Sequence, residues 1–286
     1  MNARLLTHLS LLALVAGLGL VLWRGPGPVP VRQSLSTQSA DAIQKVRIQP
    51  RKGEAITFQR HGRTWTMRSP WSLPASTVRL GAILKLPGMR THKHFPETDV
   101  DLPALGLSPP RVSLWLDGEV YDFGDSNPLS GQRYVRHGGQ VHLLTDTVYH
   151  QLVTPAAGML DPHPLPADRR LTRVELPGLT LRRHIDGHWQ AVPDRPALDR
   201  QRLPDFIHHW QGLQARTIER IDSPVEGTNL DFFFANKTHI HFTLQTRDKG
   251  IWLIRAQPAL AYHLPDDMPA QGLLSPFATT TARATQ

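Results

Sequence analysis

An uninterrupted apolar stretch near the amino terminus constrains this chain more than any other feature. Leu5–Trp23 carries no charged side chain, and Arg4 and Arg24 stand on either side of it. As a helix the stretch would measure roughly 28 Å, which is about the thickness of a bilayer's hydrocarbon core. A tryptophan at its end suits the headgroup boundary. The pattern predicts a transmembrane anchor, with the rest of the chain forming a body held at a membrane.

A cleaved signal peptide is the alternative interpretation of this stretch. Signal peptides have a shorter apolar core, roughly 7–15 residues, followed by a cleavage site of small residues. Trp23–Pro26 fits such a site poorly, and the absence of cysteine excludes a lipoprotein. The short amino-terminal flank favours a cytoplasmic amino terminus. For a bacterial protein this predicts a single-pass protein of the inner membrane with a periplasmic body.

The charge of the chain bears on its partners. The 286 residues carry a net charge of +8, and the basic residues are spread along the chain among 24 acidic ones. Nucleic-acid binding needs basic residues clustered on one face with aromatic residues between them. We therefore interpret the charge as a solvated surface and predict no nucleic-acid partner. The 25 prolines indicate many strand ends and turns.

Two stretches of the body repeat the same order of patterns: a tryptophan hairpin, a helix that ends near glycine, and an aromatic-led strand. The matching pairs are Arg60–Trp65 with Arg183–Trp189, Leu86–Met89 with Trp210–Leu213, and Tyr134–Arg136 with Trp252–Arg255. Their separation stays near roughly 120 residues, a normal size for a duplicated domain. Chance alignment of short patterns is the alternative. The predicted fold is α+β: a single transmembrane helix, then two tandem repeats of a mainly antiparallel β unit, each with one helix packed on its sheet.

These patterns divide the chain into five segments. They are a cytoplasmic tip and anchor (1–24), a Pro/Ser-rich linker (25–43), a first α+β unit (44–160), a second unit (168–268) and a flexible tail (269–286). Ser76 is expected to cap the helix of the first unit, with Val78, Ile83 and Leu84 on its apolar side.

The first unit resembles a bacterial family known as domain of unknown function 4340. The similarity rests on the amino-terminal membrane segment, on ITFQRHGRTWTM at Ile56–Met67, on LGLSPP at Leu105–Pro110 and on FGDSNPLSGQRYVR at Phe123–Arg136. The second unit departs from the pattern, because Asp222–Asn229 lacks the Gly-Leu turn. The resemblance implies a membrane-anchored extracytoplasmic protein with repeated units that occurs beside ABC transporter components of the gliding-motility type. It supplies no catalytic residues.

Histidines offer the best candidate metal ligands. Alternation along a strand places His239 and His241 on one face, within reach of one ion, and His263 could approach from a nearby strand. The alternative is the polar outer face of a half-exposed strand, with Ile240 and Phe242 pointing inward. Because the sequence fixes no third ligand, we treat the metal interpretation as the weaker one and predict no cofactor.

Catalytic signatures are missing, and one exposed aromatic residue stands out. The sequence holds no Gly-x-Ser-x-Gly elbow, phosphate loop or dinucleotide fingerprint. Trp71 lies in a proline-bounded loop, which makes it a candidate for contact with a partner. The predicted function is therefore a non-enzymatic accessory or scaffold subunit of a membrane assembly, and the family resemblance implies a transporter permease as the partner. The alternatives are a periplasmic module that binds a metal or small ligand and, less favoured, an envelope hydrolase.

Overall fold

The fold is α+β and is built on two mainly antiparallel sheets with few helices. The computed structural model describes residues 33–91, 93–194, 202–222, 226–247, 250–266 and 268–276. The predicted anchor, Leu5–Trp23, lies outside these residues. Within the described part of the chain, no helix is both long and apolar enough to cross a membrane.

The first half forms a nine-stranded sheet and a separate two-stranded ribbon. Its strands are β1 (Gln33–Ser34), β2 (Lys45–Pro50), β3 (Ile56–His61), β4 (Thr64–Ser69), β5 (Leu73–Pro74), β6 (Arg90–Thr91), β7 (Lys93–Pro96), β8 (Val112–Leu116), β9 (Glu119–Ser126), β10 (Arg133–His137) and β11 (Gln140–Leu144). The helices are α1 (Thr77–Leu84) and α2 (Tyr149–Leu152), with short 3₁₀ turns at Leu86–Gly88, Glu97–Asp99 and Ala156–Met159. The large sheet has the order β5-β4-β3-β2-β8-β9-β10-β11-β7, and β1 pairs with β6.

The second half forms an eight-stranded sheet. Its strands are β12 (Leu171–Leu176), β13 (Leu179–Arg183), β14 (Trp189–Val192), β15 (Thr217–Arg220), β16 (Thr228–Phe234), β17 (His239–Arg247), β18 (Gly250–Arg255) and β19 (Leu260–His263). The helices are α3 (Arg202–Gly212) and α4 (Ala270–Leu274). The order is β14-β13-β12-β16-β17-β18-β19-β15.

The two sheets share one strand order. Apart from the edge strand β5, each begins with three strands in reverse chain order, continues with four strands in chain order, and closes with an edge strand from the middle of its half. In both halves a helix, α1 or α3, follows the third strand and precedes that closing strand.

Alternating apolar residues build the core, and the helices cover it. In α3 one face is buried, made of Leu203, Phe206, Ile207 and Trp210, and the Trp210 ring lies 4.8 Å from that of Phe232. Ser76 caps α1 as expected, but the expectation for Val78 is wrong, because its side chain is 82% exposed. At about 100° per residue, Val78 points away from the face that Leu80 and Leu84 bury.

A close backbone contact explains part of the sequence pattern of the first half. The Asp125 N–H on β9 donates a 2.8 Å hydrogen bond to the Leu105 carbonyl, in the loop before β8. A Cβ on Gly124 would lie 2.3 Å from the Leu105 oxygen and 2.9 Å from Cγ of Leu107. The loop therefore approaches this strand only because residue 124 has no side chain. In the second half a similar close approach occurs at Gly227, just before β16. A Cβ on this residue would lie 2.4 Å from the Leu244 carbonyl oxygen on β17.

The segment 159–162 joins the two halves through backbone hydrogen bonds. The Ser76 N–H of the first half donates to the Met159 carbonyl at 2.9 Å. The Ala215 N–H of the second half donates to the Pro162 carbonyl, also at 2.9 Å. The connection is thus held by both halves.

Two predicted boundaries are wrong. In the predicted linker 25–43, the described part is packed on the body: β1 pairs with β6, and Leu35 is buried. The predicted tail 269–286 begins too early, because α4 is ordered and Leu273 is fully buried, with its carbonyl accepting a 3.2 Å hydrogen bond from Nε1 of Trp210. Composition missed both because tertiary contacts decide whether small or polar segments are packed.

Candidate functional site

A wide groove lies at the junction of the two halves. It has a volume of about 1140 Å³. Its walls come from the β2–β3 connection, the loop at Trp71, the segment 149–157 and strand β15. Residues distant in sequence therefore meet there, and both halves contribute.

The groove has an apolar floor. Buried or half-buried side chains form it: Ile56, Trp71, Leu152, Ala157 and Ile218. Trp71 packs partly against the core and presents its remaining surface to the groove. Val153 is one of the exposed large apolar residues of the described chain and lies on the groove wall. A large, half-exposed aromatic surface of this kind is typical of binding sites.

The rim of the groove is charged, with basic residues in excess. Arg51, Lys52 and Arg220 are exposed, against the acidic Glu54 and Glu219. Among the described residues, no ion pair engages any of the three basic side chains.

A fourth basic residue of the groove is already engaged. Nε and Nη2 of Arg111 donate to the two carboxylate oxygens of Asp125 at 2.7 and 2.9 Å. These hydrogen bonds lower the pKa of Asp125 and outweigh the effect of its partial burial. Arg111 therefore holds strand β9 rather than a ligand.

A half-buried arginine, Arg133, packs on the ring of Tyr149 in the groove wall. Cζ of Arg133 lies 3.5 Å from the centroid of the Tyr149 ring. Its guanidinium donates to Oδ2 of Asp146 at 2.7 and 2.8 Å and to the Gly124 carbonyl at 2.6 Å. This network ties the groove wall to the close contact on strand β9.

Among the described residues, the lining of the groove holds no nucleophile–base pair of the serine or cysteine type. Its lining contains no serine, cysteine or histidine. The hydroxyl of Thr154 donates to the His150 carbonyl at 2.8 Å. A nucleophile with an adjacent base and an orienting group is not assembled in this lining.

The structure places both predicted histidine ligands beside a carboxylate. Nε2 of His239 lies 2.6 Å from Oδ1 of Asp231, and Nδ1 of His241 lies 2.8 Å from the same oxygen. Ile240, between the two histidines, and Phe242, which follows them, are buried, as alternation predicts. Burial raises the pKa of Asp231. The hydrogen bonds to His239 and His241 lower this pKa by more than burial raises it, so the net shift is downward.

Sequence reasoning missed Asp231, although a signal for it exists. In the hairpin of β16 and β17, Phe233 pairs with His239 and Asp231 with His241. Burial alternates along β16, so Asp231 shares the outer face with the histidines. Placing the turn at residues 235–238 would have given this register.

His263 does not join this group. Its ring stacks on Trp252 at 4.5 Å, and its Nε2 lies 3.4 Å from Oδ1 of Asp266. His263 on β19 pairs with Trp252 on β18, and Trp252 pairs with Gln245 on β17. Gln245 lies four residues beyond His241 on the same strand. Four residues of strand span roughly 13 Å. His263, which could have approached from a nearby strand, is therefore too far away to join His239 and His241.

A second His-Asp-His group lies in the turn after β13. His184, Asp186 and His188 are all exposed, and both rings contact Oδ1 of Asp186. Gly187 of this turn has a φ of +97°. This group sits on a loop rather than on paired strands.

Comparison with known proteins adds no relative: no family model, curated protein or solved structure matches the chain. The resemblance drawn from the motifs of the first half therefore stays a prediction.

Proposed function

We propose that this protein is a single-pass, membrane-anchored accessory subunit whose extracytoplasmic body binds a segment of a membrane-protein partner, such as a transporter permease. The groove between the halves is the observation that carries the proposal. Its volume of about 1140 Å³ exceeds the roughly 300–1,000 Å³ of ordinary small-molecule pockets. Anchoring and location rest on the apolar stretch Leu5–Trp23, and the transporter link rests on the family resemblance.

The chemistry of the groove specifies the segment that it would accept. Aromatic and aliphatic side chains on the floor offer a place for an apolar anchor, with Trp71 as its central contact. The exposed basic residues Arg51, Lys52 and Arg220 on the rim favour an acidic neighbour, since complementary charge guides and orients association. The proposed ligand is thus an extended extracytoplasmic segment that carries apolar and acidic side chains.

The shared strand order supports a second element of the proposal, that the halves are copies of one unit. Duplication accounts for the helix position in both halves and for the repeated motifs. The groove belongs to neither copy alone, so the binding function would have arisen at their junction.

Site-specific photo-cross-linking tests the proposal in intact membranes with the full-length chain. A photo-reactive amino acid at Val153 is expected to capture one membrane protein. The same amino acid at Leu129, an exposed residue outside the groove, is expected to capture none. Mass spectrometry of the product identifies the partner and the captured segment. Equal capture from both positions, or none from Val153, contradicts the proposal.

Replacing Trp71 with alanine tests the central contact. We expect the cross-linking yield from Val153 to fall about tenfold or more, because truncation of a buried aromatic anchor typically costs at least about 2 kcal/mol of binding. Trp115→Ala is the matched control, since Trp115 is also half-buried but lies away from the groove. A synthetic peptide of the captured segment gives the affinity directly. If both variants bind it equally, Trp71 has no part in recognition.

A further inference from the structure

We propose that Asp231, His239 and His241 form a binding site for a divalent transition-metal ion of the Zn²⁺ type on the outer face of the second sheet. The three ligand atoms all lie within 4.8 Å of one another. Imidazole nitrogens and a carboxylate oxygen are ligands that Zn²⁺ takes in protein sites with three protein ligands and one open position. This inference goes beyond the proposed function and does not depend on the groove.

The distances need little adjustment to hold an ion. With metal–ligand bonds of about 2.0–2.2 Å in a tetrahedral arrangement, the ligand atoms stand roughly 3.4 Å apart. The two histidine nitrogens lie 2.6 and 2.8 Å from Oδ1 of Asp231, and all three ligand atoms lie within 4.8 Å of one another. Each nitrogen must move less than 1 Å away from that oxygen to reach this spacing, which small side-chain rotations allow.

The hairpin holds the ligands on a rigid support. Asp231 lies directly opposite His241. His239 precedes His241 by two residues and therefore lies on the same face of the strand. The ring of Phe233 stacks on that of His239 at 4.7 Å, and Cζ of Arg173 lies 3.7 Å from the Phe233 centroid. Ligands on paired strands with a packed ring lose less conformational freedom on binding than ligands on a loop.

A second carboxylate adds negative charge next to Asp231. Glu175 on β12 pairs with Asp231, and both are half-buried on the same sheet face. Like charges directly opposite each other destabilise a sheet unless a counter-charge lies nearby. Nε of Arg173 lies 3.2 Å from Oε1 of Glu175, whereas the ion-pair partners of Asp231 among the described residues are the two histidines. A bound ion would supply the missing charge beside Asp231.

The group in the turn after β13 is the competing site and also the best control. Its three residues, His184, Asp186 and His188, have the same composition and comparable spacing. The side chain of Asp186 is 57% exposed, whereas that of Asp231 is 24% exposed. Rigid support predicts that Asp231 and its histidines bind more tightly than the turn.

Calorimetric titration of the metal-free, full-length chain in detergent with Zn²⁺ tests the inference. We expect one tight site in the wild type and a loss of roughly 100-fold or more in affinity in the H239A/H241A variant. H184A/H188A is the matched control and is expected to keep the wild-type affinity. Titration with Co²⁺ reports the coordination by its absorption spectrum. Circular dichroism and melting of the metal-free variants show whether each is folded.

Asp231→Asn separates ligation from folding, because asparagine keeps the shape of the side chain and removes its charge. It is expected to weaken Zn²⁺ binding while the metal-free protein melts as a folded chain. The inference is overturned if the wild type binds no Zn²⁺ saturably. It is also overturned if H184A/H188A loses the tight site while H239A/H241A keeps it.

Discussion

The Gly124→Ala variant is expected to lower the free energy of unfolding by about 2–4 kcal/mol. The new Cβ would lie 2.3 Å from the Leu105 carbonyl oxygen, a distance that real Cβ atoms do not show. The loop cannot withdraw freely, because that oxygen accepts the Asp125 N–H at 2.8 Å. Overpacking of a dense interior costs typically 1–3 kcal/mol, and losing the hydrogen bond adds about 1 kcal/mol. Urea unfolding followed by tryptophan fluorescence measures the change.

Gly118→Ala is the matched control for this variant. Gly118 precedes the same strand, and a Cβ there would meet nothing within 4 Å. We expect its stability to stay within about 0.5 kcal/mol of the wild type. If the two alanine variants unfold at the same urea concentration, the close approach between the loop and strand β9 is not a constraint on the fold.

Acidification from pH 7 to pH 5 is expected to cost about 2 kcal/mol of stability through His142 alone. Its side chain is buried, with the residue 7% exposed, and this burial together with the nearby His94 lowers its pKa to about 4. In the unfolded chain the imidazole titrates near its ordinary pKa of 6.5. Because the unfolded state binds the proton first, stability is full above pH 6.5 and falls as the pH drops towards 4.

The His142→Leu variant isolates this contribution. Nδ1 of His142 is buried and has no hydrogen-bond partner among the described residues, so leucine removes an unsatisfied polar atom as well as the titrating group. We expect the variant to be at least as stable at pH 7 and to lose less stability on acidification. His150→Gln, at an exposed histidine, should keep the wild-type slope. Urea unfolding at pH 7, 6 and 5 gives the slopes, and parallel curves for His142→Leu and the wild type would contradict the assignment.

Local patterns predicted most of the elements because alternation and caps act within a few residues. The Ser76 cap of α1 is where the sequence places it. No local pattern predicts the short strands β5 and β6 or the edge strand β7, because their existence depends on distant partners rather than on their own periodicity. The same reason explains why the packed part of the linker and helix α4 were missed.

The candidate sites divide in the same way. His239 and His241 could be paired from the alternation of a single strand, whereas Asp231 required the register of the hairpin. Trp71 could be singled out by its loop, but nothing local indicates that it faces strand β15 across a groove. Such a juxtaposition depends on how two sheets meet, and a sequence pattern does not encode that.

The connection between the halves has a mechanical consequence. The segment 159–162 is bonded through its backbone to Ser76 in the first half and to Ala215 in the second. Near the start of the described chain, β1 is likewise paired with β6. Tension applied at β1 would therefore load hydrogen-bonded backbone at the start of the described chain. A displacement of one sheet relative to the other would change the width of the groove, because both halves contribute its walls.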